Sequence, residues 1–127
     1  MSGDYTAQAF SLSMSIPNTF STGDSQAAVI VPCDAVLIHA QFAIETLGGA
    51  SGDTDIMLRN DTTGEDLLAS VALIDYDADP AVVAGTLSTT ASYLNIDKDD
   101  VIEVDVDGVC GGTAEAGLHV NLMFIGR

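Results

Sequence analysis

Three carboxylates within residues 75–79 have the spacing that is best suited to metal chemistry in this sequence. Alternate carboxylates can converge on a hard cation with oxygen ligands, as they do at the start of a calcium-binding loop. That loop needs glycine at its sixth position and a bidentate acid at its twelfth, where this chain has Pro80 and Thr86. Asp75, Asp77 and Asp79 are therefore metal candidates, but a solvated acidic turn is the favoured interpretation.

A second acidic group, Glu103, Asp105 and Asp107, alternates with apolar residues along a predicted strand. Carboxylates act in general acid–base catalysis when one of them is desolvated, so that its pKa rises. Because alternation places successive side chains on opposite faces of a strand, we expect these three on the solvent side. The row predicts a wet surface rather than a catalytic pair.

The other potentially reactive residues do not form a recognisable metal, catalytic or phosphate-binding site. His39 and His119 are both expected on outward faces, and two histidines without a third ligand make no metal site. Serines are numerous, but no GxSxG nucleophile elbow is present. The glycine-rich stretch at Gly111 and Gly112 is not followed by the lysine of a phosphate-binding loop. We predict no catalytic residue and no cofactor, so the protein is not expected to be an enzyme.

The amino-acid composition limits the classes of molecule that this protein can be expected to bind. The formal net charge is −16, from 19 acidic and three basic residues. This charge repels phosphate and anionic lipid, so neither nucleic acid nor a membrane is an expected partner. Disordered chains combine high charge with few hydrophobic residues, whereas this chain is 47% hydrophobic, with a mean hydropathy of +0.33. We expect one folded domain with its carboxylates on the surface.

Alternation of apolar and polar residues predicts a series of short strands and no convincing helix. Strands are predicted over about residues 8–16, 27–31, 35–46, 87–94 and 118–125, among others, and residues 18–25 are expected to form a loop. In the strand at 35–46, the residues expected to face the core are Val36, Ile38, Ala40, Phe42 and Ile44. Turn signals between the strands favour an antiparallel sandwich or barrel.

Two further features stay open at the level of sequence. Cys33 and Cys110 lack the CxxC spacing of zinc or redox sites, and either one disulfide or two free thiols would fit. Met123 and Ile125 are apolar residues on the expected solvent side of the last strand. Exposed apolar residues that line up mark an interface, unless a second sheet packs over them.

Several segments resemble a virion module of tailed bacteriophages. The resemblance runs over about residues 27–125 and is carried by residues 31–36, 52–56, 60–68, 94–107 and 117–122. Cys33 is a departure, since the module more often has an aromatic or small residue there. The resemblance implies a jelly-roll sandwich that trimerises and serves as a capsid decoration (cement) protein or as the head of a fibre.

These inferences combine into one expectation for the whole chain. The fold is an all-β, antiparallel jelly-roll-like sandwich of about eight strands, in which residues 1–26 form an N-terminal arm and first strand and residues 27–127 form the sandwich. The function is that of a cement protein on the outside of a phage head, with the major capsid protein and a homotrimer of itself as partners. The protein would be made in the host cytoplasm and located on the capsid exterior of the virion. A tail or head fibre domain that binds a host receptor is the alternative.

The interface residues that we predict fall into two groups. The first group belongs to the N-terminal arm and strand, and the second belongs to the last strand. They are Tyr5, Phe10, Leu12, Met14 and Ile16 in the first group and Met123 and Ile125 in the second.

Overall fold

The described part of the chain contains ten strands and a short 3-10 helix. The structure is a computed structural model, and it describes residues 8–127. The strands are β1 (Ala9–Phe20), β2 (Gly23–Ile30), β3 (Ala35–Thr46), β4 (Asp53–Asn60), β5 (Glu65–Asp66), β6 (Ala72–Asp75), β7 (Val82–Ala84), β8 (Asn95–Ile96), β9 (Val101–Gly108) and β10 (Glu115–Gly126), and the 3-10 helix is Ala91–Leu94. No helix of residues 8–127 is long and apolar enough to cross a membrane.

The strands form two antiparallel sheets. Sheet A has the order β1-β10-β3, and both β7 and β8 pair with β3. Sheet B has the order β2-β9-β4, and both β5 and β6 pair with β4. The first four strands alternate between the sheets, as do β9 and β10, which is the winding of a jelly roll. This confirms the predicted all-β jelly-roll-like sandwich, with pairs of short strands filling the fourth place in each sheet.

The core lies between the sheets and is built from the alternating side chains that the sequence pattern indicated. In β10, the predicted inward residues Leu118, Val120, Leu122 and Phe124 are at most 1% exposed. Phe10 of β1 stacks on Phe124, with ring centroids 5.2 Å apart. Stacked aromatic pairs add to the stability that burial of their area already provides.

The loop predicted over residues 18–25 is wrong, because most of that segment belongs to strands. β1 continues to Phe20 after a register shift against β10 between Ile16 and Thr19. The shift absorbs Pro17, which cannot donate a ladder hydrogen bond. Phe20 is then buried in the core. The expected boundary at residue 26 falls inside β2, and β1 is a full member of sheet A.

The predicted core face of β3 is wrong at its start. Met123 of β10 pairs with His39, whereas the next residue, Phe124, pairs with Leu37, so Ile38 is the extra residue of a β-bulge. Before the bulge the core residue is Leu37, which is 1% exposed, while Ile38 is 42% exposed. Beyond the bulge the predicted inward residues are buried.

The strand predicted over residues 87–94 does not form. Leu87 makes one isolated bridge with Leu68, and residues 91–94 are the 3-10 helix. Between them the backbone N–H of Thr90 donates to the hydroxyl of Ser88 at 3.1 Å. Serine and threonine side chains compete in this way with strand pairing, so their presence does not indicate a strand here.

Candidate functional site

The outward side of sheet A is a broad face that is almost free of charge, and we call it the sheet A face. Its side chains are Ser11, Ser13 and Ser15 of β1; His119, Asn121, Met123 and Ile125 of β10; Val36, Ile38, His39, Gln41 and Ala43 of β3; and Val82 and Ala84 of β7. Glu45 borders it, with its Oε1 2.7 Å from Nε2 of His119, and the ion pair of Arg127 with Asp97 lies just beyond the ends of β10 and β8.

A shallow groove of about 490 Å³ crosses the middle of the sheet A face. It follows the cross-strand row in which Ser13 lies opposite Asn121 and Asn121 lies opposite Gln41. The next row, from Ser15 to His119, also lines it. Hydroxyl and amide groups can donate and accept hydrogen bonds without bringing a net charge into a contact.

One end of the sheet A face is apolar. Ile38, Met123 and Ile125 are 42%, 37% and 36% exposed, and Val36, which is half-buried, lies opposite Ile125. We call these four residues the apolar patch. No second sheet in the described part of the chain covers Met123 or Ile125. Clustered apolar side chains on a protein surface are typical of a binding surface.

The predicted interface residues of β1 point the other way. Met14 is 7% exposed and belongs to the core, and Phe10, Leu12 and Ile16 are half-buried and pack against it. While β1 stays in sheet A, these side chains support the domain itself, and what β1 offers to a partner is its serine side chains and its backbone edge. Tyr5 lies outside the described residues. The interface role of this whole set stays a prediction.

The outward side of sheet B is acidic, and we call it the sheet B face. It carries Asp53 and Asp55 of β4, Asp75 of β6, and Glu103, Asp105 and Asp107 of β9, with Arg59 of β4 as its basic residue. Arg59 lies opposite Glu103 in the register, and its Nε is buried without a hydrogen-bond partner. The side chains that carry most of the charge within strands are thus on the sheet opposite to the groove.

The prediction that the β9 carboxylates form a wet row is wrong for two of the three. Glu103 and Asp105 are 5% and 6% exposed, whereas Asp107 is exposed. The reason is a register shift in β2 that brings Ser25 over them. The backbone N–H of Ser25 donates to Asp105 Oδ1 at 2.8 Å, and its hydroxyl donates to Glu103 Oε2. Both carboxylates are therefore hydrogen-bonded.

Two acids on the sheet B face have raised pKa values. A side-chain hydrogen bond with Asp53 is the main cause that raises the pKa of Asp55 to about 6, followed by burial and by the negative charges of Asp53 and Asp107. Burial is the main cause that raises the pKa of Asp105. A desolvated carboxylate is one requirement for acid–base catalysis. Neither group lines the groove, however, because the groove lies on the other face of the sandwich.

The three metal candidates lie in and after β6. Asp75 pairs with Asp53 in the sheet, and Asp77 and Asp79 follow in the exposed turn that leads to Pro80. Within residues 8–127, no group of three or more His, Cys, Asp or Glu side chains is arranged to hold a metal ion. The structure therefore does not bring these three carboxylates together as ligands. Both cysteines carry free thiols, Cys33 exposed and Cys110 buried.

Sequence reasoning missed the burial of Glu115, which is 1% exposed. Its Oε1 accepts the backbone N–H of Cys110 at 2.7 Å, and its Oε2 accepts the hydroxyl of Thr54. It lies beside two glycine-rich loops, one between β3 and β4 and the other between β9 and β10. The backbone N–H of Ala50 in the first loop donates to the carbonyl oxygen of Gly111 in the second at 2.7 Å. No periodicity marks Glu115, since it is the first residue of β10 and follows a loop.

These residues define a jelly-roll sandwich with one nearly uncharged face and one acidic face. No protein-family model matches this chain, and no curated protein matches it. Among solved structures it is similar to a chain in the capsid of Ralstonia phage GP4, with a TM-score of 0.63 and 19% identity over 100% of this chain and 90% of that one. It is also similar to a chain in the cyanophage Pam1 capsid asymmetric unit, with a TM-score of 0.50 and 10% identity over 94% and 84% of the two chains. Its fold is therefore one that phage capsid chains share.

Proposed function

We propose that this protein is a decoration (cement) protein of a bacteriophage capsid. It binds the outer surface of the phage head through the sheet A face and stabilises contacts between major capsid proteins. Its role is structural, and it catalyses no reaction. The observation that carries the proposal is the unequal division of carboxylates between the two sheets.

Within the strands, sheet A contains two carboxylates and sheet B contains nine. Those of sheet A are Glu45 and the buried Glu115, and those of sheet B are Asp24, Asp53, Asp55, Glu65, Asp66, Asp75, Glu103, Asp105 and Asp107. The centre of a stable protein–protein interface is poor in charged residues. The sheet A face meets this requirement, with the apolar patch and the polar groove side by side. The sheet B face is suited to remain in water, where like charge keeps particles apart.

The fold comparison supports a place in the virion. The match to the Ralstonia phage GP4 chain spans all of this chain and 90% of that one, so a domain of this kind makes up nearly the whole of that capsid chain. A domain that stands alone in a capsid works through its surfaces. Surface binding is also what the sheet A face offers.

The assembly that we propose is a homotrimer seated on the capsid exterior. Each copy then presents the same sheet A face to the shell, and three modest contacts act together through multivalency.

The main alternative is a fibre domain that binds a host receptor, and the polar groove is the feature that favours it. Protein sites for sugars often use exposed aromatic rings, whereas the aromatic residue at this groove, Phe42, is buried.

The test is rebinding to phage capsids from which this protein has been stripped. We expect stoichiometric binding and a higher temperature of capsid disruption. Met123→Glu places a charge on the sheet A face and should weaken binding at least tenfold. Leu73→Glu is the matched control, because Leu73 is 51% exposed on the outward side of β6 and gains the same charge on the opposite sheet.

The outcomes separate the two functions. Binding that Met123→Glu weakens and Leu73→Glu leaves unchanged supports the cement function and the face assigned to it. Equal effects of the two variants would reject the sheet A face as the contact. Absence of capsid binding together with binding to host cells would reject the cement function and support the fibre alternative.

A further inference from the structure

The four sheet edges of the sandwich differ in how well they are protected against pairing with another strand. An edge strand presents unpaired backbone N–H and C=O groups, and proteins blunt such edges with short strands, charges or bulges. In residues 8–127, one edge of sheet A consists of β7 and β8, of three and two residues, and one edge of sheet B consists of β5 and β6, of two and four. The other edge of sheet B, β2, is broken by a register shift between Gly23 and Ala27 and contains Asp24.

The fourth edge, β1, has none of these protections over most of its length. β1 has 12 residues, and Ala9–Ile16 pairs with β10 without a register shift. No charged residue occurs in this stretch, and Pro17 follows it. We call residues 9–16 the β1 edge. It is regular and uncharged, which are properties of a strand that accepts another strand.

The side chains of the β1 edge are also incompletely covered. Phe10, Leu12 and Ile16 point toward the core but stay half-buried, whereas their neighbours in β10 are fully buried. A strand added beside β1 would cover this remaining apolar area. Burial of apolar surface is favourable by roughly 25 cal/mol per Å².

We propose that the β1 edge pairs with the β1 edge of a second copy of this chain. The two strands run antiparallel about a two-fold axis at Ser13, so that the two copies of sheet A become one continuous sheet. In this register Ser13 lies opposite the same residue of the second copy, Phe10 lies opposite Ile16, and Leu12 lies opposite Met14. Apolar side chains then meet on the inner side and serines meet on the outer side, because opposite residues share a face.

The β1 edge itself is uncharged, so a second copy can occupy it despite the net charge of −16 on each. Neither β1 edge contributes a charge, and the carboxylate-rich strands β9 and β4 belong to sheet B, where β2 forms the edge beside them. The remaining repulsion acts through water and is screened by salt. The association should therefore strengthen as the salt concentration rises.

This contact goes beyond the proposed function, because it needs no capsid. It is a two-fold contact, so it joins copies in pairs. If trimers also form through another surface, the pairing produces hexamers. Even-numbered assemblies are thus its signature in solution.

The experiment compares Ser13→Lys with Asn121→Lys by sedimentation velocity at 0.15 and 1 M NaCl. Ser13 and Asn121 are opposite each other in the register and both exposed, but only Ser13 is on the edge strand. Ser13→Lys would place two like charges directly opposite each other. We expect even-numbered assemblies for the wild type, stronger at 1 M NaCl, at least a tenfold loss of association for Ser13→Lys, and little change for Asn121→Lys.

Hydrogen exchange supplies the second readout. Amide protection in residues 9–16 of the wild type should exceed that in Ser13→Lys at the same protein concentration. Monomers or trimers at every concentration, or equal association of the two lysine variants, would overturn the proposal. Either result would leave the cement function standing, since capsid binding is measured separately.

Discussion

Glu115 accepts a hydrogen bond from the backbone N–H of Cys110 at 2.7 Å, and this carboxylate is almost fully enclosed. The hydroxyl of Thr54 donates to its other oxygen. One side chain thus connects the start of β10 with β4 and with the loop that follows β9. A buried carboxylate is tolerated where several donors surround it.

Glu115→Ala should destabilise the fold by about 2 to 4 kcal/mol, because two buried donors lose their acceptor and a cavity is left. Urea denaturation followed by circular dichroism measures this change. Glu45→Ala is the control, since Glu45 makes an exposed pair with His119 and should cost less than about 0.5 kcal/mol. Equal stabilities of the two variants would contradict the structural role of Glu115.

The contact between the two glycine-rich loops gives a second prediction. Gly49 has a φ of +64°, and a Cβ there would lie 1.5 Å from the carbonyl oxygen of Gly111. Gly49→Ala should therefore separate the loops. We expect the free energy of unfolding to fall by more than about 3 kcal/mol, of which only ~1 kcal/mol comes from the left-handed conformation of the alanine. Thermal denaturation is a sufficient measurement.

Gly52→Ala is the matched variant for this test. Gly52 also has a positive φ, of +83°, but a Cβ there would meet nothing within 4 Å. Gly52→Ala should therefore lower the free energy of unfolding by only about 1 kcal/mol, from the left-handed backbone conformation alone. If Gly52→Ala were as harmful as Gly49→Ala, the close approach of the loops would not be the reason.

The raised pKa values on the sheet B face predict how the stability of the fold depends on pH. The pKa of Asp55 is raised to about 6 from an ordinary 3.8, mainly by the hydrogen bond with Asp53. Between these two values the folded state binds more protons than the unfolded state, so stability rises as the pH falls from 7 toward 4. Asp105, whose pKa is raised by burial, acts in the same direction. The melting temperature should thus be higher at pH 5 than at pH 7.5.

Asp55→Asn isolates this effect. The variant removes the group that binds the extra proton, so its melting temperature should change less between pH 5 and 7.5 than that of the wild type. It should also be the more stable of the two at pH 7.5. An unchanged pH dependence would show that Asp55 does not bind a proton in this range.

The sequence was sufficient for features that depend on neighbours along the chain. Strict alternation in residues 118–125 predicted both the buried and the exposed side of β10, including the outward position of Met123. Alternation also predicted the extent of β3, but one extra residue at Ile38 reversed its faces before the bulge. A bulge is fixed by pairing with another strand, so a local pattern does not reveal it.

The features that the sequence did not indicate depend on residues far apart in the chain. Glu103 is covered by Ser25, which is 78 positions away, and Glu115 meets Thr54 across 61 positions. In both cases the carboxylate is covered by a residue of another strand. The division of charge between the sheets was likewise hidden, because it requires knowing which strands pair.

Within the strands, that division places most of the negative charge on one side of the sandwich, at sheet B. Near any negatively charged surface the field exerts a torque on the molecule before contact occurs. The molecule turns sheet B away and presents sheet A, so approach and orientation are coupled. In the function that we propose, the acidic residues of sheet B would orient the protein without touching the capsid.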